Sequence, residues 1–170
     1  MLNVRDKNSA SHFMTLALKE AKKAEAREAV PVGAVVVRNG EAISAAGNET
    51  LDDPTAHAEI LAIRGACLYL KTPVLCDCDI YVTLEPCAMC AQAISLARIR
   101  RLYFGAYDIK YGAVEQKLRV FDFALWKPEI VGGILETPCA RVLQDFFEKK
   151  RTGEKDAKTI CLAKEFVLRR

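Results

Sequence analysis

The stretch Asp79–Leu84 constrains this chain most. It alternates like a strand and is rich in β-branched and aromatic residues. It then runs without a linker into Glu85-Pro86-Cys87 and a helical stretch reaching about Ile99. A strand feeding straight into a helix has to bury one apolar face against that helix, which points to a layered α/β fold. The neighbouring segments fit the same scheme. Phe13, Met14, Ala17, Leu18, Ala21 and Ala24 recur at three-and-four spacing and predict a helix capped by Ser9 or Ser11 and running to about Arg27. Val30–Val37 reads as a buried strand, Asn39-Gly40 as a tight hairpin and Glu41–Ala46 as its partner strand. Asp52-Asp53-Pro54-Thr55 forms a turn before a helix over about His57–Leu70. Arg101–Ala106 and Glu129–Ile134 are expected strands, with Tyr107–Lys127 irregular between them. From Glu136 a last helix carries Ala140, Leu143, Phe146 and Phe147 on one face. Strand–helix alternation implies that the later half of the sheet is largely parallel.

With 170 residues there is material for one ordinary core, and a composition 51% hydrophobic and 28% charged excludes pervasive disorder. No apolar run is long enough to span a bilayer, and the first residues lack the apolar centre of a secretory signal, so a cytoplasmic location is expected. In that reducing compartment the seven cysteines are free thiols or metal ligands, not a disulfide framework. The net charge of +3 is too weak to imply a nucleic-acid partner by itself. The basic excess is local, concentrated beyond residue 140 and at Arg98, Arg100 and Arg101, where phosphate contacts and solvated faces are equally compatible with the charge.

The chemistry lies in His57, Glu59, Cys87 and Cys90. Cys87 and Cys90 are three apart on one helical face, so both sulfurs can meet one metal, and a helix N-terminus favours the thiolate form. His57 supplies a third ligand of the kind zinc takes, and three protein ligands leave a fourth position open for water, as in catalytic sites. Zinc acidifies such a water, and Glu59, not needed as a ligand, is placed to move its proton. On a regular helix His57 and Glu59 would diverge. Both can face one site only if His57 stands at the first turn, before helical angles are imposed. A closed structural site with Cys76 or Cys78 as fourth ligand is the alternative, but it leaves the His-Ala-Glu and Pro-Cys-Ala-Met-Cys contexts without a purpose. Cys67, Cys139 and Cys161 read as ordinary thiols, and His12 as a helix residue without a metal role.

His57-Ala58-Glu59 followed by Pro86-Cys87-Ala88-Met89-Cys90 resembles the signature of the cytidine deaminase superfamily. Val30–Val35, Asp53–Ile60, Tyr81–Cys87, Phe104-Gly105-Ala106 and Asp145-Phe146-Phe147 extend the resemblance, over about residues 10–152, to its tRNA adenosine deaminases. The resemblance implies a three-layer α/β/α fold with a five-stranded mixed sheet and a deaminase domain over residues 1–152. It also implies one zinc per chain, a homodimer, and hydrolysis of adenosine to inosine at the wobble position of a tRNA anticodon stem–loop. Carried over by position, it implies that Asn48 contacts the substrate nucleotide, that Val30 lines the base pocket and that Asp108 lies beside the RNA-binding loop. The residues alone leave Asn48 open to being a turn residue, Val30 core and Asp108 a cap. Two departures stand out: the loop between Asn48 and His57 is shorter than in that family, and the basic segment 153–170, a helix or tail, matches nothing in it. Two other readings are compatible with the motifs: a deaminase of a small nucleobase or nucleotide (cytosine, deoxycytidylate or guanine), and a non-catalytic zinc-containing RNA-binding subunit. The presence of Glu59 speaks against the second.

Overall fold

The computed structural model describes residues 4–152, with side chains from Ser9 onward. Residues 153–170, and with them the expected C-terminal helix or tail and Cys161, lie outside the described residues. Four helices and five strands follow in the order α1 (Val4–Ala26), β1 (Gly33–Arg38), β2 (Glu41–Gly47), α2 (Ala58–Leu70), β3 (Cys78–Leu84), α3 (Ala88–Leu96), β4 (Arg101–Ala106), β5 (Glu129–Val131) and α4 (Glu136–Thr152). The strands form one sheet in the order β2-β1-β3-β4-β5. β1 is antiparallel to β2 and β3, whereas β3–β4 and β4–β5 are parallel. This is the expected mixed α/β sheet with its later half parallel.

Alternate residues of the strands serve two cores. Ala34, Val36, Ile80, Val82, Leu102 and Phe104 face α2 and α3, whereas Val35, Val37, Tyr81 and Tyr103 face α1 and α4. The second face is so closely covered that a side chain at Gly33 would run into the α1 backbone at Ala17, and one at Gly105 into Cys139 of α4. The result is three layers, with the first turns of α2 and α3 meeting at one end of the sheet.

Four local expectations are corrected. Helix α1 begins at Val4, so Ser9 and Ser11 lie inside it; the Ser11 carbonyl accepts a bond from Thr15 Oγ1, and Ala10 is already part of the buried stripe. β1 starts three residues later than Val30, because Pro31 has no N–H for a ladder and the Val32 N–H turns back onto the Val30 carbonyl at 2.8 Å. α3 stops at Leu96, closed by Arg98 in the left-handed region (φ 56°) with Ile99 N–H donating to Ile94 O. β5 ends at Val131, because Gly132-Gly133 turns the chain away, with Gly133 at φ 81°. The hairpin is as expected: Asn39 and Gly40 both take positive φ and close a two-residue loop between Arg38 and Glu41.

Candidate metal and catalytic site

His57 is the N-cap of α2, and its extended backbone (φ −70°, ψ 149°) releases it from the helical spacing that would separate it from Glu59. An N-cap side chain ordinarily bonds its own helix. Here that bond comes from ten residues upstream: Asn48 Oδ1 accepts from the Ala58 N–H at 2.8 Å, and the imidazole of His57 stays free to point elsewhere. Asn48 is itself buried, and its Nδ2 donates to the Val30 carbonyl at 3.1 Å. One side chain therefore ties the start of α2 to the approach to β1.

Cys87 repeats the arrangement as the extended N-cap of α3, with Cys90 buried in the first turn. His57 Nδ1 lies 3.8 Å from Cys87 Sγ and 3.5 Å from Cys90 Sγ. Tetrahedral ligation with ordinary Zn–N and Zn–S bond lengths needs N···S separations of about 3.6 Å, so the three donors fit a zinc ion as they stand. Theirs is the one group of metal-binding type found among the described residues. Cys76 and Cys78 take no part in it. They stand at the far end of β3, about 20 Å away at 3.3 Å per residue, which removes the closed-site alternative. His12 is exposed on α1, with its ring against Phe13.

The electrostatics suit a cation. The Cys87 thiol is held down to about 4, first by its hydrogen bond with Cys90 and then by that with His57. Cys90, the donor of that pair, is pushed up, and His57 is raised mainly by its bond with Cys87. Glu59 sits in the first turn of α2, 3% exposed, and burial pushes its carboxyl up to about 7. Its Oε2 is the one buried side-chain oxygen or nitrogen among the described residues without a hydrogen-bond partner. A buried carboxyl near neutrality with one oxygen unpartnered, beside a metal-type donor set, has the chemistry of a proton carrier.

Val30 is half-buried at the same end of the sheet and joined to Asn48. Asp108 is buried, and its Oδ1 accepts from the N–H groups of Lys110 and Tyr111, both at 2.9 Å, so it builds the turn after β4. Arg100 and Arg101 lie at the opposite end of the sheet, paired with Asp79 and Glu129. A cleft of about 350 Å³ between α1 and α4 is also remote from the site and is lined by none of its residues. Sequence reasoning gave no role to Glu85. Its fully buried carboxylate gathers backbone amides from the Asp108–Gln116 loop. The only signal was a charged residue set between the end of an apolar strand and Pro86.

Fold and donor set together define a zinc-dependent deaminase. Residues 7–106 match the cytidine and deoxycytidylate deaminase zinc-binding region. The tRNA-specific adenosine deaminase of Agrobacterium fabrum is 52% identical over 148 residues, covering 85% of this chain and 97% of that protein. A solved structure from a study of A-to-I editing by tRNA deaminases at the wobble position is also 52% identical, with a TM-score of 0.76, covering 78% of this chain and 99% of that one. The guanine deaminase of Nitrosomonas europaea, 22% identical with a TM-score of 0.71 over 80% of this chain and 83% of that one, shares the fold. The chain belongs to the tRNA-specific adenosine deaminases of the zinc-binding deaminase family.

Proposed function

We propose that the protein hydrolyses adenosine to inosine at the wobble position of a tRNA anticodon stem–loop. The observation that carries the reading is the buried Glu59 carboxyl, its Oε2 unpartnered, beside His57, Cys87 and Cys90, in a chain 52% identical to a tRNA-specific adenosine deaminase. His57, Cys87 and Cys90 would hold one zinc, which when bound acts as a Lewis acid that acidifies water. Glu59 takes the proton as water adds to C6 of adenine and delivers it to N1. It then takes the proton of the new C6 hydroxyl and passes it to the amine, so that the C6–N bond breaks, the C6 carbonyl forms and ammonia leaves. Val30 forms part of the wall against the base, and Asn48 supplies the second Nδ2 hydrogen to the nucleotide. The Asp108 turn presents Ile109, Lys110 and Tyr111 beside the site, with the Lys110 ammonium 5.0 Å from the centre of the Tyr111 ring. Cations and aromatic faces of this kind suit single-stranded nucleotides, whose unstacked bases enter a pocket at reduced cost.

Two further parts of the reading rest on surface properties. Leu68, Tyr69, Leu96, Phe123 and Leu125 leave apolar area exposed on α2, α3 and the segment crossing α3, which a second copy of the chain would cover in a homodimer. No helix among the described residues is long and apolar enough to cross a membrane, and a tRNA substrate supports a cytoplasmic location.

Salt dependence tests the substrate. Binding through phosphate contacts weakens as salt rises, by roughly 0.7 in log affinity per log salt for each single-stranded phosphate neutralised. Deamination of a stem–loop at sub-saturating RNA should therefore fall markedly from low to moderate salt, while free adenosine and cytidine react poorly at any salt. Rapid turnover of guanine or a free pyrimidine, with an inert stem–loop, would favour the small-molecule alternative.

A further inference from the structure

The Glu85 side chain is fully buried, and the hydrogen bonds of its carboxylate are to backbone amides of one loop. Oε1 accepts from three successive amides, Val114 at 3.1 Å, Glu115 at 2.8 Å and Gln116 at 3.1 Å, and Oε2 accepts from Asp108 N–H at 3.2 Å. Three consecutive N–H groups converging on one oxygen form a nest, which fits an anionic acceptor. The loop so gathered lies against the metal-bearing turn. Gly112 bridges Cys87 in antiparallel fashion, and Ala113 N–H donates to Pro86 O at 3.0 Å. Its other arm is the Asp108 turn, whose Oδ1 fixes Lys110 and Tyr111. The contact leaves no slack: a Cβ at Gly112 would run into the Asp108 carbonyl oxygen as well as standing 2.5 Å from Glu85 Oε2 and 2.6 Å from its Cδ.

We propose that Glu85 is a positioning residue for the reaction: its carboxylate clamps the Asp108–Gln116 loop to the Cys87 turn and so sets the wall of the site against which the substrate nucleotide lies. The zinc donors also have supports outside this clamp. Cys87 and Cys90 are placed by the first turn of α3, where Ala91 N–H donates to Cys87 O at 2.8 Å, and His57 by Asn48. Loosening the loop removes contacts made equally to substrate and transition state, which raises KM and spares kcat. The substrate part rests on the function proposed above; the clamp itself does not.

Glu85→Gln keeps one oxygen for the three-amide nest but turns an NH₂ toward the Asp108 N–H. Gly112→Ala pushes the intact carboxylate away from the other side. Both variants should keep zinc and helical circular dichroism, raise KM for an anticodon stem–loop about tenfold or more, and leave kcat within about threefold of wild type. In both, amide hydrogen exchange at Asp108 should speed up at least tenfold, while amides of α2 and α3 stay unchanged. A wild-type protein inert on the stem–loop would refute the proposed substrate and leave the exchange result to judge the clamp. Unchanged exchange and KM in both variants would overturn the inference. So would loss of zinc in step with activity, or failure of both variants to fold, because either outcome assigns Glu85 to the metal site or to the fold as a whole.

Discussion

Removing the Asn48 side chain should destabilise the protein by about 1.5–3.5 kcal/mol. The sum has two parts. The Ala58 N–H loses a buried 2.8 Å cap at the start of α2, and loss of such a cap costs about 1–2 kcal/mol. The Val30 carbonyl loses one of two donors, because Val32 N–H also reaches it, and that costs about 0.5–1.5 kcal/mol. For a chain of this size the melting temperature should fall by about 5–10 °C in Asn48→Ala. Asn48→Asp is the internal control. It keeps the acceptor and puts a negative charge at a helix N-terminus, but it loses the donor and faces the carbonyl with an anion, so its loss should be about half as large. Urea unfolding with zinc in excess, to hold metal linkage constant, reads both variants. Since Asn48 also leaves the His57 imidazole free of capping duty, Asn48→Ala should bind zinc more weakly. If Asn48→Ala lies within about 0.5 kcal/mol of wild type, the cap is not what holds α2, and the account of how His57 is aimed fails.

Two further outcomes follow from the site and the surface. Cys87→Ala or Cys90→Ala should lower zinc below the one equivalent expected per chain, whereas Cys76→Ser with Cys78→Ser should not; metal analysis of folded protein distinguishes them, and zinc loss in the latter variant would contradict the donor set. Light scattering at micromolar concentration should give about twice the 18.8 kDa chain mass, and a fully active monomer would refute the homodimer.

Much of this was legible in the chain itself, because the relevant signals are local. Asn39-Gly40 names its own hairpin, and the Cys87–Cys90 spacing names one helical face. Errors fell where distant parts meet. The late start of β1 is the exception, a local signal passed over: Pro31 has no N–H for the ladder, and the Val32 N–H turns back onto the Val30 carbonyl. Ser9 and Ser11 resemble caps until Ala10 is seen to be buried against the sheet. Arg100 and Arg101 look like a phosphate site in one dimension, but parallel pairing sets them at the far end of the sheet, opposite Asp79 and Glu129. The roles of Asn48 and Glu85 depend on amides 10 to 31 residues away, which no sequence window contains.

The most direct test of the central claim, that Glu59 moves the proton for deamination at the His57, Cys87 and Cys90 site, is single-turnover conversion of wobble adenosine to inosine on an anticodon stem–loop. Wild type and Glu59→Gln should be compared at matched zinc content and saturating enzyme. Wild type should convert the adenosine, and Glu59→Gln, with zinc and fold intact, should be slower by at least the ~10²–10⁴-fold of a lost general acid–base. Near-wild-type conversion by Glu59→Gln would contradict the account.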